Sequence, residues 1–133
     1  MAFATRTLRD TDSLITVIMA IDNDTASDNT GLDGSGIGAF ANGAKVDIRR
    51  IWWALTQGTA AGNTGDVLLE FKGASSDTAA FRCVGTGYYD GSAGLITGSA
   101  TNTGATSADI EVVTRGTSGT IILECKKASG WTG

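Results

Sequence analysis

Apolar residues recur along this chain with a period of two, in short runs separated by Gly, Ser, Thr, Asn and Asp, and no helical stripe competes with them. Residues Ala2–Arg9 set Phe3, Thr5 and Thr7 against Ala4, Arg6 and Leu8, as in an arm or an edge strand. Over Ser13–Ile21, Ile15, Val17, Met19 and Ile21 share one face, while Leu14 and Ile18 make the other partly apolar, so this strand is expected to be covered on both sides. Asp22–Gly43 is the longest polar stretch and reads as a long loop, with Leu32, Ile37 and Phe40 available to pin it to the body, as loop contacts or as a short strand. Lys45–Thr56 reads as a long strand whose phase changes: Val46 and Ile48 share one parity, Ile51, Trp53 and Leu55 the other. One extra residue near Arg49-Arg50 would realign them, as a β-bulge does; the alternative is burial of both faces around Trp52 and Trp53.

Beyond it, Asp66–Lys72 points Val67, Leu69 and Phe71 inward, and Thr78–Val84 does the same with Phe81 and Cys83. Weaker strands surround Tyr88-Tyr89 and Leu95-Ile96, with a turn signal at Asp90-Gly91. Two strong strands close the chain, one around Ala108, Ile110 and Val112 and one over Thr120–Lys127, with Arg115–Gly119 predicted as the hairpin between them. Eight or nine strands at this spacing predict a single all-β domain over residues 1–133: a two-sheet β-sandwich of jelly-roll type, or alternatively an immunoglobulin-like sandwich. It carries an N-terminal arm over 1–10 and a long Asp/Gly-rich loop over 22–43.

Composition narrows the function. The 133 residues include nineteen glycines but no histidine and no proline, and 18% are charged, below the usual share of about 25%. Without imidazole the chain lacks the most versatile acid–base group near neutral pH and the commonest metal ligand. Few ions would be desolvated if much of the surface were covered in an assembly. A net charge of −4 argues against a nucleic-acid partner. No apolar run reaches the ~18 residues of a membrane span, and no signal peptide is visible, so neither a membrane partner nor export is expected. Cys83 and Cys125 are far apart with no CxxC spacing and are expected as buried small hydrophobes, with a disulfide between them the alternative.

Candidate chemistry is sparse. Glu70, Glu111 and Glu124 fall on polar strand faces, where carboxylates are ordinarily solvated, so no catalytic residue and no cofactor is expected. Asp22, Asp24 and Asp28 are the place where a Ca²⁺ ion could find clustered oxygens, but the stretch has no DxDxDG core and no closing glutamate. The Gly34–Gly38 and Gly85–Gly87 stretches precede no helix and lack GKS/T, so they read as turns. Trp52 and Trp53 must lie on opposite faces, so only one can join the core. The other, with Tyr88 and Trp131, is available to cap an edge, anchor an interface or stack on a sugar.

Taken together, Arg6–Thr11, Ile48–Trp53, Val67–Phe71 and Thr120–Lys127 resemble strands of small β-sandwich virion proteins of tailed bacteriophages, phages of marine bacteria in particular. The resemblance implies a non-catalytic structural protein, foremost a capsid decoration (cement) protein that stabilises the head lattice by bridging subunits. Its partners would be the major capsid protein or another virion protein, with homo-oligomers (trimers favoured) assembled in the host cytoplasm. A neck or tail component and a carbohydrate- or receptor-binding module are the alternatives. The expected contact residues are Phe3, Arg6, Arg9, Leu32, Ile37, Phe40, Trp52, Tyr88 and Trp131.

Overall fold

The computed structural model describes residues 2–38, 44–58, 62–73, 77–97, 108–128 and 131. Among them are eight strands and no α-helix: β1 (Ala2–Asp10), β2 (Leu14–Leu32), β3 (Val46–Gln57), β4 (Val67–Phe71), β5 (Thr78–Cys83), β6 (Thr86–Tyr89), β7 (Ile96–Thr97) and β8 (Ile110–Lys127). A single 3-10 turn spans Gly34–Gly36. The all-β character follows the alternation in the sequence. Every pairing is antiparallel, and all eight strands join one hydrogen-bonded sheet.

The long strand β8 organises the molecule. It pairs with β2 from Leu14↔Lys126 to Leu32↔Ile110. On its other side, Thr117–Lys127 pairs with β3 and Ile110–Thr114 pairs with β4. The sheet therefore has a near half, in which β1, the start of β2, the end of β8, β3 and β6 lie side by side, with β7 also on β3. Its far half comprises the end of β2, the start of β8, β4 and β5. These halves face each other. In a straight strand Met19 and Gly31 would be about 40 Å apart, yet a Cβ built on Gly31 would lie 2.8 Å from Met19 Cε and 2.6 Å from Val112 Cγ2. Likewise Trp53 of β3 packs edge-on against Phe81 of β5, with ring centroids 5.4 Å apart. A single apolar cluster fills the space between, with Met19, Ile48, Ile51, Leu69, Ile110 and Leu123 among its fully buried members.

Both long strands bend where the halves meet. In β2 the pairing slips between Ile21 and Asn29, with Asn23 at φ 46°. In β8 the bend holds Gly116 at φ 62° and Gly119 at φ 139°, backbone conformations that side chains rarely tolerate. A Cβ on Gly119 would run into the Ala54 carbonyl. Bulges leave backbone groups without ladder partners, and polar side chains supply them. Ser118 Oγ accepts from Asn23 N–H at 2.9 Å, and Thr25 Oγ1 accepts from Gly116 N–H at 2.8 Å. The buried Asp24 carboxylate accepts from Asn29 Nδ2 and Thr114 Oγ1, each at 2.6 Å.

Two expectations are thereby corrected. The first half of the predicted 22–43 loop is strand: β2 continues to Leu32, because its Asp, Asn and Thr side chains satisfy the bend. Arg115–Gly119 is not a hairpin, since both flanking segments pair with the same neighbour, β2, as one strand. The turn signalled at Asp90-Gly91 is present, with Gly94 N–H donating to the Gly91 carbonyl at 2.9 Å, and across it β6 and β7 both run antiparallel to β3, one after the other. The expected bulge in β3 is present, with Arg49 as the extra residue between the Ile48↔Cys125 and Arg50↔Glu124 pairs. The N-terminal segment is an edge strand, β1, hydrogen-bonded to β2.

Candidate interaction face

The side of the near half that faces away from the core carries three cross-strand rows. Pairing places Arg6, Ile18, Ile122, Trp52 and Tyr88 in one line from β1 to β6. Arg9, Thr16, Glu124 and Arg50 form the line towards one pole, and Ala4, Ala20, Thr120, Ala54 and Thr86 the line towards the other. The middle row arises because β2 and β8 place Ile18 and Ile122 at the parity opposite to their core residues. The bulge at Arg49 turns Trp52 outward, while Trp53 packs on the core and donates from Nε1 to the Val84 carbonyl at 3.0 Å.

Leu8, 46% exposed, and Tyr88, 51% exposed, extend this apolar strip. Trp52 and Tyr88 stack on each other at 5.3 Å between centroids, with planes 20° apart. Beside them lies a groove of about 440 Å³, lined by Leu8, Arg9, Thr16, Trp52, Ile122 and Glu124. Glu124 is only 4% exposed and is held by Arg49 Nη1 at 2.7 Å and Arg9 Nη2 at 3.6 Å. The Thr16 hydroxyl and Arg50 Nε are buried without a hydrogen-bond partner among the described residues.

The far half presents a different exterior. Lys72 Nζ pairs with the buried Glu111 carboxylate at 2.9 Å, and Arg82 pairs with Asp66. The Asp66 carboxyl is held below its ordinary range, first by the Thr64 hydroxyl and then by Arg82. The Glu70 carboxyl is pushed up, first by burial and then by the neighbouring Asp77 and Glu111. Glu111 and Glu124 were both expected to be solvated. Each is instead sunk beneath the long cation that pairs with it.

A third cluster lies where β1 and β8 end. Lys127 Nζ, nearly buried, donates to Asp10 Oδ1 at 2.7 Å and to the Gly38 carbonyl at 3.0 Å, and it sits 5.2 Å from the Trp131 ring centroid. Trp131 Nε1 donates to the Lys45 carbonyl at 2.7 Å. The Asp10 carboxyl lies below its ordinary range, first through Lys127 and then through the Gly38 N–H.

Of the expected contact residues, Arg6, Arg9, Trp52 and Tyr88 come together on the near face. Leu32 and Ile37 belong to the core instead, 2% and 7% exposed, because the extension of β2 carries them inward. Phe3 faces inward opposite Ile21 at the margin of the core, and Trp131 is half-buried against its own chain. Phe40 lies outside the described residues. Asp24 is occupied by Asn29 and Thr114, while Asp22 and Asp28 are exposed; among the described residues no three His, Cys, Asp or Glu side chains gather where a metal ion could sit. Both cysteines are buried free thiols, with Cys83 pushed up to about 12 by desolvation and Cys125 pushed up further for the same reason.

Ile18, Ile122, Leu8 and Glu124 were not among the expected contact residues. Their signal is the off-parity apolar residue within an alternating run, which reads equally well as a second core face. Compared with family models, curated proteins and solved structures, the chain matches none.

Proposed function

We propose that this chain is a non-catalytic structural subunit that works by offering the outer face of its near half to a neighbour. The observation that carries the reading is the row Ile18–Ile122–Trp52–Tyr88 with Leu8 beside it: apolar side chains standing outside a core that is already filled. Contiguous apolar surface of this kind marks interaction sites on otherwise polar domains. The potential nucleophiles and acids point the same way. Both thiols are buried and held protonated, and the Glu111 and Glu124 carboxylates are neutralised by paired cations.

The setting we propose is a tailed-phage particle, as the resemblance of the strands implies, with the chain decorating the capsid lattice next to the major capsid protein or another virion protein. A subunit that binds the assembled lattice and not free coat chains stabilises the assembled state by mass action. We further read the doubled sheet as a sandwich of jelly-roll type. Its support is that β2 and β8 each run through both halves, whereas an immunoglobulin-like sandwich assigns its strands to one sheet or the other.

An antibody against the folded chain should label phage particles purified from the host that makes it, and particles made without it should lose their contents at lower temperature. Deleting residues 1–9 removes Arg6, Leu8 and Arg9 from the face, so the truncated chain should fold but no longer attach. A chain absent from every particle overturns the reading.

One observation favours a second reading, a sugar-binding module: Trp52 and Tyr88 are exposed aromatic neighbours. Their rings, however, are stacked on each other, which occupies a face of each that a sugar would need. Quenching of Trp52 fluorescence by added sugars would support this alternative.

A further inference from the structure

The outer face of the near half has an order that reads sensibly against itself. Its middle row runs from a cation through two isoleucines to two stacked aromatics: Arg6, Ile18, Ile122, Trp52, Tyr88. We propose that the occupant of this face is a second copy of the chain, related by a two-fold axis that lies along β8 and passes over Ile122. This deepens the reading above and rests on its claim that the near face is a contact surface.

Rotation about that axis lays the β1 edge of one copy on the β6 edge of the other. Arg6 then meets Tyr88 of the second copy, where a guanidinium over an aromatic ring is attracted by the ring's quadrupole. Ile18 meets Trp52, and Ile122 meets its own equivalent. In the next row Arg9 comes to the edge that carries Asp90, and Thr16 comes over Arg50, the two residues with buried polar atoms lacking partners; Glu124, on the axis, meets its own equivalent with its charge already held by Arg49 and Arg9. In the remaining row Ala4, Ala20 and Ala54 offer only small side chains, so two sheets can close on each other. An in-plane two-fold axis perpendicular to the strands would instead set Arg6 over its own copy, like charge against like, and would leave Arg9 over Ala4, away from any carboxylate of that edge. Charge therefore selects the first axis, and the strands of the two copies run aligned, as in common face-to-face sheet packing.

The size is adequate for a reversible dimer. Five strands about 4.8 Å apart and seven residues at about 3.3 Å each give a face of roughly 550 Å². The pair buries about 1,100 Å², at the lower edge of specific interfaces. A two-fold arrangement also replaces the trimer that the sequence resemblance favours.

The test uses the fact that a residue on a two-fold axis faces itself. Sedimentation of the full chain over a wide concentration range should show a monomer–dimer equilibrium. Ile122→Glu and Ile122→Lys are outward changes that should leave the thermal midpoint nearly unchanged, and each alone should weaken dimerisation at least tenfold. Mixing the two should restore a dimer containing one of each. As a second measurement, Ala20→Cys mixed with Ala54→Cys should be joined by a short bis-maleimide into a heterodimer, with little product from either alone. The buried Cys83 and Cys125 should stay silent in both.

A parent chain that remains monomeric or forms trimers overturns the proposal. So does undiminished dimerisation of the Ile122→Glu or Ile122→Lys variant alone, or a mixture of the two that fails to re-pair. Particle labelling separates this from the function: a monomer found on particles defeats only the dimer, and a dimer found on none defeats only the virion reading.

Discussion

The two halves of the sheet share their longest strands yet present opposite exteriors. Along β8 the outward residues of the far half are Glu111 and Val113, flanked by Leu68, Glu70, Lys72 and Arg82, while those of the near half are Thr120, Ile122 and Glu124, flanked by Ile18 and Trp52. One strand thus changes the character of its outer face on passing the bend at Gly116–Gly119. Burial alone does not require this, since both halves close the same core. The difference places paired ions on the exterior of one half and a contact surface on the other.

The sharpest test of that contrast uses two consecutive residues. Leu123 is fully buried between the halves, and Leu123→Ala should cost about 2–5 kcal/mol in denaturant unfolding. Ile122→Ala, at a concentration where the chain is monomeric, should cost less than about 1 kcal/mol. Equal losses would mean that the near outer face is core. Gly119→Ala tests the bend that separates the halves. With φ 139° and the Ala54 carbonyl in its path, it should cost about 1–3 kcal/mol from backbone strain alone, read as a lowered Tm.

A smaller effect is expected at the pole of the near half. Lys127→Met removes the hydrogen bond that holds Asp10 below its ordinary range and should cost about 1 kcal/mol near neutral pH. A carboxyl lowered in the folded state contributes stability above its unfolded value of about 3.9, and loses it as pH falls through the folded value. The gap between variant and parent should therefore narrow in acid to what the Gly38 carbonyl and the Trp131 ring still contribute. Smallest, and opposite in sign, is Glu70→Gln on the far exterior. Because the folded protein raises the Glu70 carboxyl, its ionised form is disfavoured there, so the variant should be slightly more stable at neutral pH. That gain should vanish below about pH 4, where the unfolded carboxyl is protonated as well.

The alternation of the chain made the inward residues legible, and the change of phase in β3 located its bulge. What misled were the glycines. The Gly116–Gly119 stretch is locally indistinguishable from a hairpin turn, because positive φ serves a bend and a reversal equally well. Only the choice of partner, β2 for all of β8, decides between them, and that choice is non-local. The contact face was half legible. Arg6, Arg9, Trp52 and Tyr88 announced themselves by type. Ile18 and Ile122 did not, since an isoleucine off the core parity does not say whether protein or solvent covers it. Glu124 was read as solvated because its two arginines reach it through space, from the neighbouring β3 and from β1 two strands away.

The placement of Ala2 and Lys127 has a mechanical consequence. Ala2 pairs with Asp22 at the bend, whereas Lys127 lies at the other pole, tied to Asp10 and packed against Trp131. A load applied between these two points runs along the strands, so it pulls on the whole ladder from β1 through β2 to β8 in shear, and many hydrogen bonds must fail together before the fold yields.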